Sequence, residues 1–395
     1  MTIDEQHMRK ALELAQAGVG LVSPNPAVGA VIVNASGREV GTGTHTYAGV
    51  KHAEVLALEQ AGSQARGATL YLNLEPCSHH GRTGPCADAV ISAGISRVVC
   101  SMEDPNPKVA GRGFAKLRAA GIQVDVGMFE TEAKKLNESF AKYIRFGKPL
   151  VTLKSAMSLD GKIAAADAPV DTPVKDAPVN DACGHRWITG EAARAHVQQL
   201  RHQNDAILVG VGTVIADDPL LTDRSGLPRR RKLLRVVLDS HLRIPLESQV
   251  IRTAEDDVLI ICSTPNDNAR RALEERGIRV QQVSSVSSPQ ISSSNGGRPD
   301  FAAIVKYLGK NEITSVLIEG GSSVNTTALQ SGEVDRVFLY YAPKLFGEGA
   351  IPFIAAQDAP WQARCLQQIE VHRFGEDFAV EGYLRDPYSP PPSRL

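Results

Sequence analysis

Three short steps constrain this chain more than anything else in it: Lys51-His52-Ala53-Glu54, Glu75-Pro76-Cys77 and Gly84-Pro85-Cys86. One imidazole and two thiols supply three protein ligands to a zinc ion. Three protein ligands leave the fourth tetrahedral position to water, the arrangement of a catalytic zinc. Any fold that uses His52, Cys77 and Cys86 together must bring two helix starts and one strand end to a single point. Glu54 is not needed as a ligand. It stands where a carboxylate can take a proton from the metal's water and hand it to a leaving group.

His-x-Glu followed by Pro-Cys and a further Cys is the pattern of zinc-dependent nucleobase deamination, in which an activated water attacks a ring carbon and ammonia departs. A closed structural zinc, with His79 or His80 as fourth ligand, is the competing reading, and a set of unrelated buried thiols is another. Glu54 at the deaminase spacing is unexplained by either. The apolar pattern predicts a helix over 53–61, stopped by Gly62. Residues two apart do not share a helix face. His52 and Glu54 therefore serve one site only at the helix start. Pro85 suits a first helical position, which predicts a helix running on from Cys86, with the helix dipole favouring the thiolate.

Around these motifs the first part of the chain alternates. Helices are predicted over 3–17, 53–61, from Pro85-Cys86 through Ile91, near 111–120 and over 131–143; strands over 27–33, 68–74, 97–102 and 124–128. This is an α/β pattern. Ser23-Pro24-Asn25-Pro26 reads equally as a plain chain reversal or as a turn presenting the Asn25 amide to a pyrimidine edge. Arg145–Pro149 reads as a linker, after which a new pattern starts at Leu150. Strands follow at 150–153, 206–211, 235–238, 258–262, 315–319 and 337–341, with a helix over 191–202. The runs 164–184 and 284–298 read as exposed or disordered loops. Two strands end in glycines ahead of helical patterns, near Gly210–Thr213 and at Gly320-Gly321. Backbone N–H groups and a helix dipole meet at such places, a cradle for phosphate. No G-x-G-x-x-G is present, so the pair suggests a dinucleotide site without fixing one.

With 395 residues the chain has room for two or three domains. A net charge of −1 gives no overall basic field for nucleic acid or a membrane surface. Cys77, Cys86, Cys100, Cys183, Cys262 and Cys365 are too scattered for a disulfide framework, which points to a reducing cytoplasmic setting. The N-terminal stretch lacks the apolar core of a signal peptide, and no run reaches the length of a membrane span.

Both halves resemble one family, the bifunctional RibD proteins of riboflavin biosynthesis. The motifs are SPNPAVGAVIV, HAE, EPCSHHGRTGPC and EDPNP in the first half. In the second they are SLDGK, WITG, ILVGVGTVIADDPLLT, LDS, LIEGG and APKLFG. The resemblance implies a cytidine-deaminase-like α/β/α sandwich over residues 1–146 and a dihydrofolate-reductase-like α/β domain over 149–386; the Ser/Pro-rich end, 387–395, reads as a flexible tail. It implies zinc-dependent deamination of 2,5-diamino-6-ribosylamino-4(3H)-pyrimidinone 5′-phosphate to 5-amino-6-(5-phosphoribosylamino)uracil, then NADPH reduction of the ribosyl to the ribityl side chain. His52, Cys77 and Cys86 would be the zinc ligands and Glu54 the proton shuttle. Ala156, Trp187, Thr213, Asp217, Ser240 and the loop Gly321, Ser322, Ser323, Val324, Asn325, Thr326 and Thr327 would contact NADPH. His185, Arg201, Leu221, Arg224 and Glu319 would contact the ribosyl-phosphate substrate. Two departures stand out: His185 takes the place of a usual Ser, and Gly84 that of a common Pro. The family usually forms homo-oligomers. Two other functions fit the residues: a single-activity deaminase with a nucleotide-binding second domain, and a non-catalytic zinc module. The charge pattern argues against RNA as a partner.

Overall fold

Thr2 starts the first helix with a reciprocal cap. Its hydroxyl accepts from Glu5 N at 3.2 Å, and the Glu5 carboxylate accepts from Thr2 N at 2.6 Å. Helix α1 (Ile3–Ala17) turns Met8, Ala11 and Ala15 inward, as its spacing predicts. In a computed structural model the described residues are 1–47, 51–78, 84–165, 187–286, 297–355 and 361–390, and the chain divides into two units. The first comprises Met1–Gly147 with the short segments Pro228–Arg231 and Pro390–Leu395; the second comprises Lys148–Leu227 and Lys232–Ser389.

In the first unit α1 is followed by β1 (Gly29–Val33), β2 (Glu39–Thr44), α2 (Ala53–Ala61), β3 (Thr69–Leu72), α3 (Cys86–Ser92), β4 (Arg97–Cys100), α4 (Arg112–Ala119), β5 (Gln123–Val126), α5 (Glu130–Leu136) and α6 (Glu138–Phe146). The sheet order is β2-β1-β3-β4-β5, with β1 antiparallel to both neighbours and the rest parallel. Val31 and Val33 pack with Met8 and Ala11 of α1 on one face. On the other face Gly43, opposite Ala30, lies so close to α2 that a Cβ would come within 2.0 Å of Ala53 O. The sheet is therefore covered on both sides, and α2 is seated directly on β2. Strand β2 was not predicted, because its glycines remove the β-branched signal.

The helix predicted over 131–143 is two helices, broken at Asn137. Its side chain is spent elsewhere: Oδ1 accepts from Ala27 N at 2.8 Å and Nδ2 donates to Ala27 O at 3.1 Å. Asn73 makes the matching pair, accepting from Gly29 N and donating to Ala27 O, each at 2.9 Å. Two buried amides thus hold the strand end that follows Ser23-Pro24-Asn25-Pro26.

Gly147, left-handed at φ 64°, stops α6. The second unit then runs β6 (Leu150–Ser158), β7 (Lys162–Ala164), α7 (Glu191–Gln203), β8 (Ala206–Gly210), α8 (Val211–Asp217), β9 (Leu234–Leu238), α9 (Gln249–Arg252), β10 (Val258–Cys262), α10 (Asp267–Glu274), β11 (Arg279–Gln282), β12 (Ser285–Val286), β13 (Arg298–Pro299), α11 (Phe301–Lys310), β14 (Ser315–Ile318), α12 (Ser322–Ser331), β15 (Arg336–Ala342), β16 (Ile351–Pro352), β17 (Gln367–Phe374) and β18 (Asp377–Tyr383). Among the described residues, nine strands form one sheet in the order β11-β10-β9-β8-β14-β6-β15-β18-β17. From β11 to β15 the pairs are parallel; β18 and β17 are antiparallel additions. Val151, Leu208, Val236 and Val316 meet α11 and α12 on one face. Ile207, Val237 and Ile260 meet α8 and α9 on the other, where α7 covers Leu317, Phe338 and Tyr340. Burial on both faces explains why these strands read as unbroken apolar runs.

Strand β6 extends five residues beyond the predicted 150–153, and the β17–β18 hairpin was not predicted at all. β17 is an edge strand with Ile369 and Val371 exposed, so its pattern carries no inward face. Parts of the two predicted loops, residues 166–184 and 287–296, lie outside the described residues. Ser285–Val286 and Arg298–Pro299, within or beside the second, pair as a short ribbon. Of the tail, Asp386 closes a turn, accepting from Tyr388 N at 2.9 Å, and residues 391–395 lie outside the described residues.

Candidate active sites

The first unit meets the geometric demand that its motif sets. His52 is the N-cap of α2, with extended backbone (φ −76°, ψ 157°), and Glu54 lies in the first turn. Cys86 is the first residue of α3, one position later than Pro85 was predicted to start it. Cys77 follows β3, and its sulfur accepts from Cys86 N at 3.3 Å. His52 Nδ1 lies 3.1 Å from Cys86 Sγ and 3.6 Å from Cys77 Sγ, and the three ligand atoms all fall within 4.8 Å of one another. Zinc bonds of about 2.0–2.3 Å set tetrahedral ligand atoms roughly 3.3–3.8 Å apart. The donor set fits zinc. Among the described residues no fourth protein ligand joins the group; His79 and His80 lie outside them.

Glu54 is buried, 4% exposed, and burial pushes its carboxyl above the ordinary range, opposed by His52. Its proton affinity is therefore suited to accepting and returning a proton. Hydrogen bonding from Cys86, opposed by burial and helped by His52, holds the Cys77 thiol low, while the bond to Cys77 and burial push the Cys86 thiol up.

Asn25 Nδ2 lies 3.1 Å from His45 Nε2, and His45 Nδ1 lies 2.9 Å from Lys51 O. The carbonyl fixes the proton on Nδ1, so Nε2 accepts from the amide. Burial lowers the proton affinity of the His45 imidazole, consistent with that tautomer. The ring stands edge-on to His52 at 5.3 Å. His45 was missed from sequence, since no periodicity links it to residue 25 or 52. Asp104 of the EDPNP motif was also left without a role. Burial raises its carboxyl to about 7, with Glu75, Cys77 and Glu54 adding to the effect.

In the second unit the two glycine turns stand side by side, because β8 and β14 are neighbours. Gly210 and Gly321 are the N-caps of α8 and α12. A Cβ on Gly321 would lie 3.9 Å from Thr213 Oγ1. The run from Gly321 to Thr327, expected as a loop, is the start of α12. Ser322 Oγ and Asn325 Oδ1 are buried there without a hydrogen-bond partner among the described residues. A phosphate or ribose seated at this helix end would supply partners, so the residues fit a dinucleotide.

The other residues of the run divide by where they point. Thr326 and Thr327 donate to Ser322 O and Ser323 O at 2.7 and 2.9 Å, and Asn325 Nδ2 donates to Phe353 O at 3.2 Å. Val324 packs beneath Gly320. Ala156 lies on β6, and Asp217 ends α8. Ser240 accepts Thr264 N through its carbonyl at 2.9 Å. Trp187 is exposed under the Arg194 guanidinium, 5.6 Å from its ring.

The four described residues expected at the ribosyl phosphate come together around α7. Arg201 pairs with Glu319 through Nε and Nη2 at 2.7 and 3.1 Å and donates to Thr222 O at 2.9 Å, next to Leu221. Gln198 accepts from Arg224 N at 2.9 Å. Lys154 Nζ stands 3.5 Å from the same Glu319 carboxylate. His185 lies outside the described residues. Burial alone would raise Glu319, but Arg201 and Lys154 more than offset it and hold the carboxyl down to about 2.

Residues 149–380 match the family model of the RibD C-terminal domain, and residues 1–102 that of the cytidine and deoxycytidylate deaminase zinc-binding region. Riboflavin biosynthesis protein RibD of Aquifex aeolicus is 42% identical over 96% of this chain and 98% of its own length. That of Escherichia coli is 41% identical over 88% and 89%. Among solved structures, RibD of Acinetobacter baumannii superposes with TM-score 0.78 at 35% identity, covering 96% of this chain and 98% of that one. A diaminohydroxyphosphoribosylaminopyrimidine deaminase/5-amino-6-(5-phosphoribosylamino)uracil reductase from Thermotoga maritima gives 0.73 at 35% identity, with the same coverage.

The depressed Glu319 carboxyl makes the second unit acid-sensitive in a defined window. Its stabilising charge is fully present above the ordinary value of 4.5 and is lost as pH falls towards about 2. The loss amounts to about 3 kcal/mol. Urea unfolding of this unit between those pH values should show the decline, and Glu319→Gln should flatten it. An equal decline in the variant would exclude Glu319 as its source.

Proposed function

We infer the chemistry of this chain from the family to which it belongs: it is a member of the RibD family, the bifunctional deaminase and reductase of riboflavin biosynthesis. It is an enzyme with a zinc-dependent deaminase domain and an NADPH-dependent reductase domain, the first cytidine-deaminase-like and the second dihydrofolate-reductase-like. The substrate is a pyrimidine carrying a ribosyl phosphate, deaminated to the uracil and then reduced from ribosyl to ribityl. We assign residues 1–146 to the first activity, 149–386 to the second, and 387–395 to a tail.

The observation that carries the deaminase assignment is the convergence of His52, Cys77 and Cys86 within 4.8 Å beside a buried Glu54. These three residues would hold zinc, whose Lewis acidity makes a water acidic enough to attack at neutral pH. Glu54 takes the proton that the attacking water loses and delivers it to the departing amine. Water is consumed and ammonia released. The Asn25 amide, oriented by His45, is suited to a pyrimidine edge, the functional side of the choice its turn left open.

In the reductase half, NADPH when bound would supply the hydride for C1′ of the ring-opened imine, with the C=N electron pair moving to nitrogen, a proton taken up there from water, and NADP+ left behind. The N-terminus of α12, from Gly321 to Val324, and Thr213 are suited to its phosphates, with Ala156, Trp187, Asp217, Ser240, Asn325, Thr326 and Thr327 in the same assignment. The orphaned Ser322 hydroxyl supports this, whereas Thr326 and Thr327 would act through the helix that they close. Arg201, Leu221, Arg224 and Glu319, together with His185, are assigned to the substrate. The Arg201–Glu319 pair supports a fixed wall rather than a guanidinium aimed at phosphate, which leaves Arg224 as the side chain better suited to that charge.

We further infer a homo-oligomer working in the cytoplasm. Exposed Ile369 and Val371 on the edge strand β17 suit a second copy, and Cys77 and Cys86 must stay reduced to hold a metal. Light scattering on the purified chain should give a multiple of the 42.3 kDa mass; a monomer at micromolar concentration would contradict it.

Glu54→Gln removes the proton carrier while keeping the ligands. Ammonia release should fall by about 100- to 10,000-fold, while NADPH oxidation with the already deaminated compound stays at the parent rate. A variant that deaminates like the parent would mean that Glu54 is not the shuttle. Loss of both activities would contradict two separate sites.

A further inference from the structure

Glu75 lies two residues before the ligand Cys77, and the chemistry above leaves it unused. Its side chain is buried, 3% exposed. Four backbone N–H groups converge on its carboxylate. Asp104 N and Gly111 N donate to Oε2 at 3.0 and 2.9 Å; Gly113 N and Phe114 N donate to Oε1 at 2.8 and 3.2 Å. Gly113 and Phe114 belong to the first turn of α4, where amides have no partner within the helix and the dipole favours a negative charge. A carboxylate offers about four lone-pair positions, and here every one is matched to a donor.

The clamp reaches the ligand's own backbone. A Cβ on Gly113 would lie 2.1 Å from Pro76 O and 3.0 Å from Glu75 Oε1, so the peptide entering Cys77 rests directly on α4. Pro76 fixes its own φ, which makes the Glu75 carboxylate and the Cys77 thiolate parts of one stiff turn. On its other side Cys77 is tied to α3: its carbonyl accepts from Ala87 N at 3.1 Å and its sulfur from Cys86 N at 3.3 Å. Lys116 of α4 pairs with Asp88 of α3 at 2.5 Å, so the two helices that hold Cys77 are themselves bridged.

We propose that Glu75 is a positioning residue for the metal centre. By clamping the Glu75-Pro76-Cys77 turn to α4 and to the stretch from Asp104 to Gly111, it holds the Cys77 thiolate where His52 and Cys86 can share an ion with it. The inference rests on the zinc reading above. Glutamine in its place keeps the shape but turns one acceptor oxygen into a donor, which sets N–H against N–H on one side of the clamp. Outer partners of metal ligands typically change metal affinity by about 10- to 100-fold.

The test is zinc affinity of the full-length chain, by competition with a chromophoric chelator, beside the melting temperatures of the apo and zinc-loaded forms. Glu75→Gln should weaken zinc by about 10- to 100-fold, and the neighbouring exposed Glu103→Gln should not. A Glu75→Gln chain that melts earlier by the same amount with and without zinc, at unchanged affinity, would overturn the proposal, since sealing a helix end is then its whole role. Amide exchange on the parent chain gives a second reading that needs no variant to fold. Coupling is reciprocal, so zinc should slow exchange at Asp104, Gly111, Gly113 and Phe114. Uptake of zinc with no change at those amides would also overturn it. A parent chain that takes up no zinc is recognised at the first step, as a failure of the zinc reading itself.

Discussion

Two helices begin facing one another, and the first unit is built around what that does to three side chains. An N-cap residue has its backbone outside the helix and its side chain near the open amides, which is how His52 and Glu54 reach one place although two residues apart. Cys86 opens α3, and its N–H turns to the sulfur of Cys77. Charge that would be costly in a buried site is placed where backbone dipoles favour it. A carboxylate with raised proton affinity then lies beside the ligands because the same packing that closes the site also strips water from Glu54.

The scaffold is arranged to keep these starts in register. Gly43 lets α2 sit on β2 without an intervening side chain. Asn73 and Asn137 hold Ala27 from two sides, and Asn25 lies two residues earlier in the same turn. The second unit solves a similar problem with charge. Glu319 ends a buried parallel strand and would be unstable there alone; Arg201 from α7 and Lys154 from β6 make it a fixed anion. Alongside it, adjacent strands β8 and β14 deliver two helix N-termini to the same edge, the usual place for a ligand in an open parallel sheet.

Much of this could be read from residue order, for definite reasons. The helix at Ile3–Ala17 has a periodic inner face, that at Ala53–Ala61 a run of helix formers stopped by Gly62, and the ligand motif names its own chemistry. The buried strands β8, β10 and β14 announce themselves as short apolar runs between turn residues. Features set by contacts between distant residues could not be read. Nothing in the spacing pairs Asn25 with His45, breaks a helix at Asn137, or sends Asp104, Gly111, Gly113 and Phe114 to one carboxylate. Strand β2 is hidden by glycines that the packing of α2 requires. The β17–β18 hairpin is hidden because an edge strand with both faces partly wet has no alternation to detect. Nor does spacing pair Arg201 with Glu319, 118 residues further on.

The central claim is a metal held by one nitrogen and two sulfurs, with its remaining position left to water beside Glu54. X-ray absorption at the zinc edge of the loaded chain measures this directly. Two sulfur neighbours at about 2.3 Å and two light neighbours at about 2.0 Å are expected, only one of the light pair carrying the outer-shell scattering of an imidazole ring. A second imidazole signature, or a third sulfur, would mean a closed structural site and would contradict the hydrolytic role given to it.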